Sequence, residues 1–185
     1  LCKATGHQWI RAGTRQLSGI LLGVYVRDHL GKSVGEVETC SVARGVMGVG
    51  GNKGTVGVSL TIHRRRLLFL CSHFAAHQNA VEKRNEDYSA AARELRLQGS
   101  DQAGVGPYRG EGSLLGDAHL AVWVGDFNYR VDMPYSQACE AAYAKDYAAL
   151  RSRDQCLREM AKGATFVGFS EGELNFPPTY KFDKR

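Results

Sequence analysis

The sequence predicts a layered α/β domain built on a mixed or largely antiparallel sheet. Strand-length apolar or alternating runs crowd the first part of the chain. A long segment rich in Ala, Glu, Arg and Leu, free of Gly and Pro, then spans residues 81–97. A further apolar run at residues 119–124 is followed by two more helical stretches.

In chain order, residues 18–27 (SGILLGVYVR) and 36–42 (EVETCSV) are expected as strands linked by a turn at Gly31 and Gly35. Residues 55–62 (TVGVSLTI) alternate in strand fashion, and a polar turn at Arg64 to Arg66 leads into the strand 67–71 (LLFLC), predicting an antiparallel hairpin. The segment 81–97 has the composition of an amphipathic helix, with Lys83, Arg84 and Arg93 on a solvated face among Glu82, Glu86 and Glu94. Residues 98–117 are glycine-rich and aperiodic, as a surface loop of variable length is. Residues 119–124 (HLAVWV) form a buried strand, 136–150 and 153–161 two short helices, and 176–183 (FPPTYKFD) a loop stiffened by its paired prolines. Trp123 and Tyr143 are expected in the core, and no internal repeat is visible.

The 185 residues, 43% hydrophobic and 23% charged, have the composition of one soluble globular domain or most of a larger one. No apolar run reaches the length of a membrane-spanning helix or looks like a secretory signal. Five dispersed cysteines without a CxxC pair argue against a disulfide framework or zinc site and point to a reducing cytosol. The net charge of +5 favours anionic partners. The chain starts at Leu1 and stops at Arg185 directly after an aromatic-rich segment, so it is expected to be an internal piece of a longer domain.

Chemistry concentrates where strands end. In AVWVGDFNYR (residues 121–130) an apolar strand runs into Asp126, Asn128 and Arg130; in extended chain Asp126 and Asn128 would share one face, a carboxylate beside an amide. The same residues also suit an Asx turn that ends the strand. LLFLCSH runs into His73, with His77 four residues on, and without HExxH or a cysteine cluster phosphate contact is favoured over zinc. GVMGVGGNKGTVG (residues 45–57) surrounds Lys53 with glycines that let backbone amides approach an anion, yet it is neither a Walker A loop nor GxGxxG. Tyr180 and Lys181 follow the diproline, presenting a hydroxyl beside an ammonium.

Taken in order, GNKG (51–54), SHFAAH (72–77), EKRNEDY (82–88), VWVGDFNYR (122–130) and FPPTYKFD (176–183) resemble successive blocks of the inositol-polyphosphate 5-phosphatases, with the diproline form nearest a plant-like branch. The resemblance covers nearly the whole chain. It implies a DNase I-like two-sheet sandwich flanked by helices, of which residues 1–185 would be part of the catalytic domain, truncated at both ends. It further implies Mg2+-dependent hydrolysis of the 5-phosphate of phosphoinositides or soluble inositol polyphosphates.

By that resemblance, Asp126 positions or activates the attacking water, Asn128 orients it, and His73 contacts the scissile phosphate. Asn52, Lys53, Arg84, Arg130, Tyr180 and Lys181 bind substrate, the last two reading the 4-phosphate. The family's amino-terminal asparagine, the glutamate of its QE motif, and its WCDR and SDH blocks do not occur here. The principal metal carboxylate is therefore expected outside this chain, and the isolated polypeptide is expected to fold poorly and hydrolyse little.

The resemblance also implies a cytoplasmic enzyme with peripheral contact to anionic membranes and no nucleic-acid partner. A nuclease or sphingomyelinase of the same superfamily and a catalytically inactive phosphoinositide-binding scaffold are the competing functions. TYK, GNKG and the lack of a basic stripe interleaved with aromatics argue against the nuclease; intact His73, Asp126 and Asn128 weigh against the scaffold.

Overall fold

The computed structural model describes residues 6–44, 52–96 and 115–180. Strand β1 (Trp9–Leu17) and β2 (Ile20–Arg27) form an antiparallel ribbon closed by a two-residue turn, with Ser18 at φ 51°. A 3-10 turn, Asp28–Ser33, leads to β3 (Val34–Arg44), β4 (Lys53–Ile62) and β5 (Arg65–His73). Helix α1 (Val81–Glu94) precedes β6 (Leu120–Asp126), and the short helices α2 (Tyr135–Tyr143), α3 (Tyr147–Arg151) and α4 (Gln155–Ala161) follow.

The four-stranded sheet has the order β3-β4-β5-β6, antiparallel except for the parallel β5–β6 pair. The expected hairpin is β4–β5. Its turn is His63 and Arg64, at φ 47° and 63°, so both central residues adopt the left-handed conformation that matches the twist of a two-residue hairpin. The predicted turn at Arg64 to Arg66 is thus displaced, because Arg65 and Arg66 already pair with Ile62 and Thr61.

Alternation assigns the two faces of this sheet. Val58 and Leu60 pack with Val24 of the ribbon, joined by Leu22, Leu67 and Phe69. On the opposite face Leu68, Leu70 and Trp123 meet Phe74, Tyr88 and Ala91, with Phe166 and the flank of α4 completing the layer. Leu60, Leu68 and Leu70 are at most 1% exposed, and each such side chain contributes about 1.5–3 kcal/mol of burial. On this second face a polar line is fully satisfied: Trp123 Nε1 donates to Ser72 Oγ at 2.7 Å, which in turn pairs with Thr55 Oγ1 at 2.7 Å.

Several expectations need correction. Strand β6 is not buried, since Leu120, Val122 and Val124 are 54%, 38% and 48% exposed while Trp123 alone among these turns into the core. Tyr143 is 89% exposed rather than core. The predicted helix at 136–150 is two helices, broken at Lys145 (φ 58°) and restarted by Asp146, whose carboxylate accepts from Ala149 N. Most of the expected loop at 98–117 lies outside the described residues; of its end, Leu115 is buried in the core.

Gly125 is indispensable. At φ 131° a Cβ there would lie 2.1 Å from the Ser72 carbonyl oxygen, on the paired strand. Gly125→Ala should therefore lower stability by about 2–4 kcal/mol, read as a shift of the urea midpoint at unchanged slope.

Candidate active site at the strand ends

Three strand ends converge. The register sets Gly54 opposite His73 and His73 opposite Asp126, so the start of β4 and the ends of β5 and β6 lie side by side. Lys53 Nζ is 2.5 Å from His73 Nε2, and the same nitrogen lies 3.6 Å from Asp126 Oδ2. The contact sets the lysine nitrogen against an imidazole nitrogen whose donor or acceptor role depends on its tautomer. Burial lowers the Lys53 ammonium below its ordinary value, opposed by the carboxylates of Asp126 and Asp87. The Asp126 side chain is 67% exposed, open to water and to a ligand.

The chain next to each residue is fixed. Phe74 and Phe127, which directly follow His73 and Asp126, stack with ring centroids 5.4 Å apart, and both pack on Phe166. Phe74 N also donates to the Asp126 carbonyl at 3.1 Å. Of the two readings the sequence allows, Asp126 and Asn128 take the turn rather than the shared extended face. Asn128 sits at φ 58°, its N–H donates to Asp126 Oδ1 at 3.1 Å, and the strand ends in an Asx turn.

Within this turn Asn128 Nδ2 donates to the Phe74 carbonyl at 3.1 Å, and Arg130 holds Asn128 through its carbonyl and Oδ1 at 3.0 and 2.8 Å. That bond to Phe74 uses one of the two Nδ2 hydrogens of Asn128.

Beside the trio runs a groove of about 450 Å³ lined by Arg44, Asn52, Lys53, His77, Lys83 and Asp87, among others. Asn52 is exposed on its wall, and exposed His77 lies here rather than on a helix. Tyr180 is 83% exposed, and Lys181 lies outside the described residues.

Arg84 corrects two expectations. It is 0% exposed, neither on a solvated face nor available to substrate. Its guanidinium donates to the carbonyls of Ala75 (3.2 Å), His77 (2.7 Å) and Gln78 (3.3 Å) and to Gln155 Oε1 (2.6 Å). Asp87, one turn on, accepts from Ala75 N at 2.9 Å. Helix α1 thereby holds both polar groups of the Ala75 backbone, and burial raises the Asp87 carboxyl above its ordinary value.

Asp87, Asn85 and Gln155 escaped the sequence reading. Their signal was available for α1: Arg84, Asp87, Tyr88, Ala91 and Leu95 form one helical stripe, all buried, so polar residues lie on an apolar face.

The comparisons with known proteins agree with this geometry. The family model described as Endonuclease/Exonuclease/phosphatase family 2 matches residues 2–185. The chain belongs to that family. Among curated members, the endonuclease/exonuclease/phosphatase chain is 37% identical to type II inositol polyphosphate 5-phosphatase 15 of Arabidopsis thaliana, over 97% of its own length and 18% of the relative's. It is 35% identical to synaptojanin of Caenorhabditis elegans, over 95% of its own length and 15% of the relative's.

Plant and animal members thus stand almost equally near. The solved inositol polyphosphate 5-phosphatase domain of Spsynaptojanin, in complex with inositol (1,4)-bisphosphate and a calcium ion, superposes with TM-score 0.83 at 30% identity, over 98% of this chain and 49% of that one. The expected DNase I-like α/β fold and the resemblance to the 5-phosphatases are borne out. The chain spans under a fifth of those two curated relatives and about half of the solved domain.

Arg84→Lys should cost about 2–4 kcal/mol, because one ammonium cannot replace a planar fork serving four acceptors; a denaturant titration showing unchanged stability with a raised KM would instead restore Arg84 to the substrate.

The rim of the site carries an acid-sensitive network. Arg158 NH1 donates to Asp132 Oδ2 at 2.5 Å, and Lys162 and Asn85 donate to Glu159 at 2.8 and 3.0 Å. These contacts hold both carboxyls below their ordinary values of 3.8 and 4.5. The folded state therefore binds fewer protons than the unfolded one, and the stabilisation, complete above those values, is lost as pH falls through the depressed ones. Arg158→Met should lower stability at pH 7 by no more than about 1 kcal/mol, since the pair is partly exposed, with the difference from wild type narrowing in denaturant titrations as pH falls below the ordinary Asp value of 3.8.

Proposed function

We propose that this chain is part of a phosphoric monoester hydrolase that removes the 5-phosphate from phosphoinositides or soluble inositol polyphosphates with Mg2+ as cofactor. The observation that carries this reading is the convergence of Lys53, His73 and Asp126 at adjacent strand ends, within 2.5 and 3.6 Å of His73 Nε2. It is supported by the 30% identical solved domain, whose bound molecules are an inositol bisphosphate and a calcium ion.

Phosphoryl transfer asks a protein mainly for positioning and for positive charge around the equatorial oxygens. Asp126, exposed at the end of β6, holds the attacking water and takes its proton. Asn128 offers its free amide hydrogen to that water or to a phosphate oxygen. Lys53 and His73 face the scissile group, Lys53 donating to a phosphate oxygen as it turns from His73. Arg44, Asn52 and Lys83, set beside Glu86 and Asp87, give the groove a polar wall for the remaining phosphates. Tyr180 and Lys181 read the 4-phosphate.

Among the described residues no group of three or more His, Cys, Asp or Glu side chains is placed to hold a metal ion. Asp126 is one carboxylate suited to a hard cation such as Mg2+. The net charge of +5 suits peripheral contact with an anionic cytoplasmic membrane surface.

The test is phosphate release by the full-length protein from a panel of phosphoinositides and inositol phosphates, with and without magnesium, with the ring position identified. Magnesium-dependent loss of the 5-phosphate is expected, and Asp126→Asn should lower kcat by about 1,000-fold or more with the fold intact. Cleavage of a nucleic-acid phosphodiester, or binding without turnover, would overturn the assignment.

A further inference from the structure

Gln155 is 1% exposed at the start of α4, yet no apolar packing explains an amide there. Its side chain uses its full hydrogen-bonding capacity. Oε1 accepts from Arg84 NH2 at 2.6 Å and from Arg130 N at 3.0 Å. Nε2 donates to the Gln78 carbonyl at 3.1 Å and to Asp132 Oδ1 at 2.6 Å. The amide cannot be reversed: the flipped form would set its NH2 against two donors and its oxygen against a carbonyl and a carboxylate.

The four partners belong to two segments. Gln78 and, through Arg84, the carbonyls of Ala75 and His77 lie on the chain that leaves His73. Arg130 and Asp132 lie on the chain that leaves Asp126, and Arg130 in turn holds Asn128. The backbone reinforces the tie, because Gln155 N donates to the Arg130 carbonyl at 2.9 Å and Val131 bridges to Asp154.

We infer that Gln155 is a positioning residue: it locks the two loops that follow β5 and β6 to each other, and so sets the spacing between His73 and the Asp126–Asn128 turn. As a statement about catalysis this rests on the function proposed above; as a statement about the coupling of the two loops it does not. Gln155 bonds to the backbone N–H of Arg130 and so acts on the site through other residues. Its effect is to remove slack between residues whose relative placement governs phosphoryl transfer, where a shift near 1 Å costs about 100-fold in rate.

Gln155→Glu preserves the shape and both acceptor contacts but turns an oxygen toward Asp132 and the Gln78 carbonyl. In the full-length protein, this variant should lower kcat for phosphate release by about 10- to 100-fold with KM within about threefold. Adding Asp132→Asn, which replaces a repelling carboxylate by an amide, should return at least about threefold of that loss. A folded Gln155→Glu protein with wild-type kcat overturns the inference, as does a loss that only follows the folded fraction in a thermal melt.

Native-state hydrogen exchange on the wild-type protein gives a readout free of activity and of any variant's folding. The amides of Phe74, Ala75, Arg130 and Gln155 should open as one unit with one protection factor. Independent opening of the 74–75 and 130 amides overturns the tie. Absence of phosphate release by the wild type would remove the catalytic reading while leaving the exchange result to decide the coupling.

Discussion

The parallel pairing of β5 with β6 decides where the chemistry of this domain sits. Antiparallel neighbours place their carboxyl ends at opposite edges of a sheet, whereas parallel strands end together. Because β6 is parallel to β5, His73 and Asp126 come out as register partners. The antiparallel β4 then brings its beginning, Lys53, to the same edge. An acid, an imidazole and an ammonium meet through strand direction, with no long side chain needed to reach across.

This arrangement transfers the burden of precision to the loops beyond the strands, and the molecule meets it with buried polar groups. Arg84 and Asp87 occupy the inward stripe of α1, where an ordinary amphipathic helix carries only apolar residues. Charge at such a position is costly unless every donor and acceptor finds a partner. Here most of the partners are backbone groups of residues 75–78, Arg84 Nε being buried without one, so the cost of burial and the order of the loop are largely one interaction. The aromatic cluster around Phe166 does the same for the residues next to His73 and Asp126 from the apolar side.

The strands of the four-stranded sheet were legible because their alternation survives in the sequence, and the motifs at their ends were legible because glycine and polar residues punctuate apolar runs. Strand β1 was not. Its bulge between Arg11 and Gly13 breaks the period of two, and as one strand of a ribbon it buries no residue fully. Arg84 was misplaced because the flanking Glu82, Lys83 and Glu86 make the segment look uniformly solvated. For Asn128 the sequence left two readings open, an extended face shared with Asp126 and an Asx turn, and only the backbone decides for the turn. Gln155 lies far in sequence from everything it organises, and a single buried amide leaves no periodic trace.

The backbone around the site takes conformations that side chains with a Cβ rarely adopt: Gly54 at φ 146°, His77 at 78°, Gly125 at 131° and Asn128 at 58°. At Gly54 a Cβ would fall 2.3 Å from the Val42 carbonyl oxygen. Glycine, or asparagine and histidine in the left-handed region, meet such demands; branched residues do not. The result is a division of evolutionary freedom. The groove's side chains can be exchanged one at a time, whereas Gly54 and Gly125 leave no room for a Cβ, so new anionic contacts can be tried on a backbone frame that stays fixed.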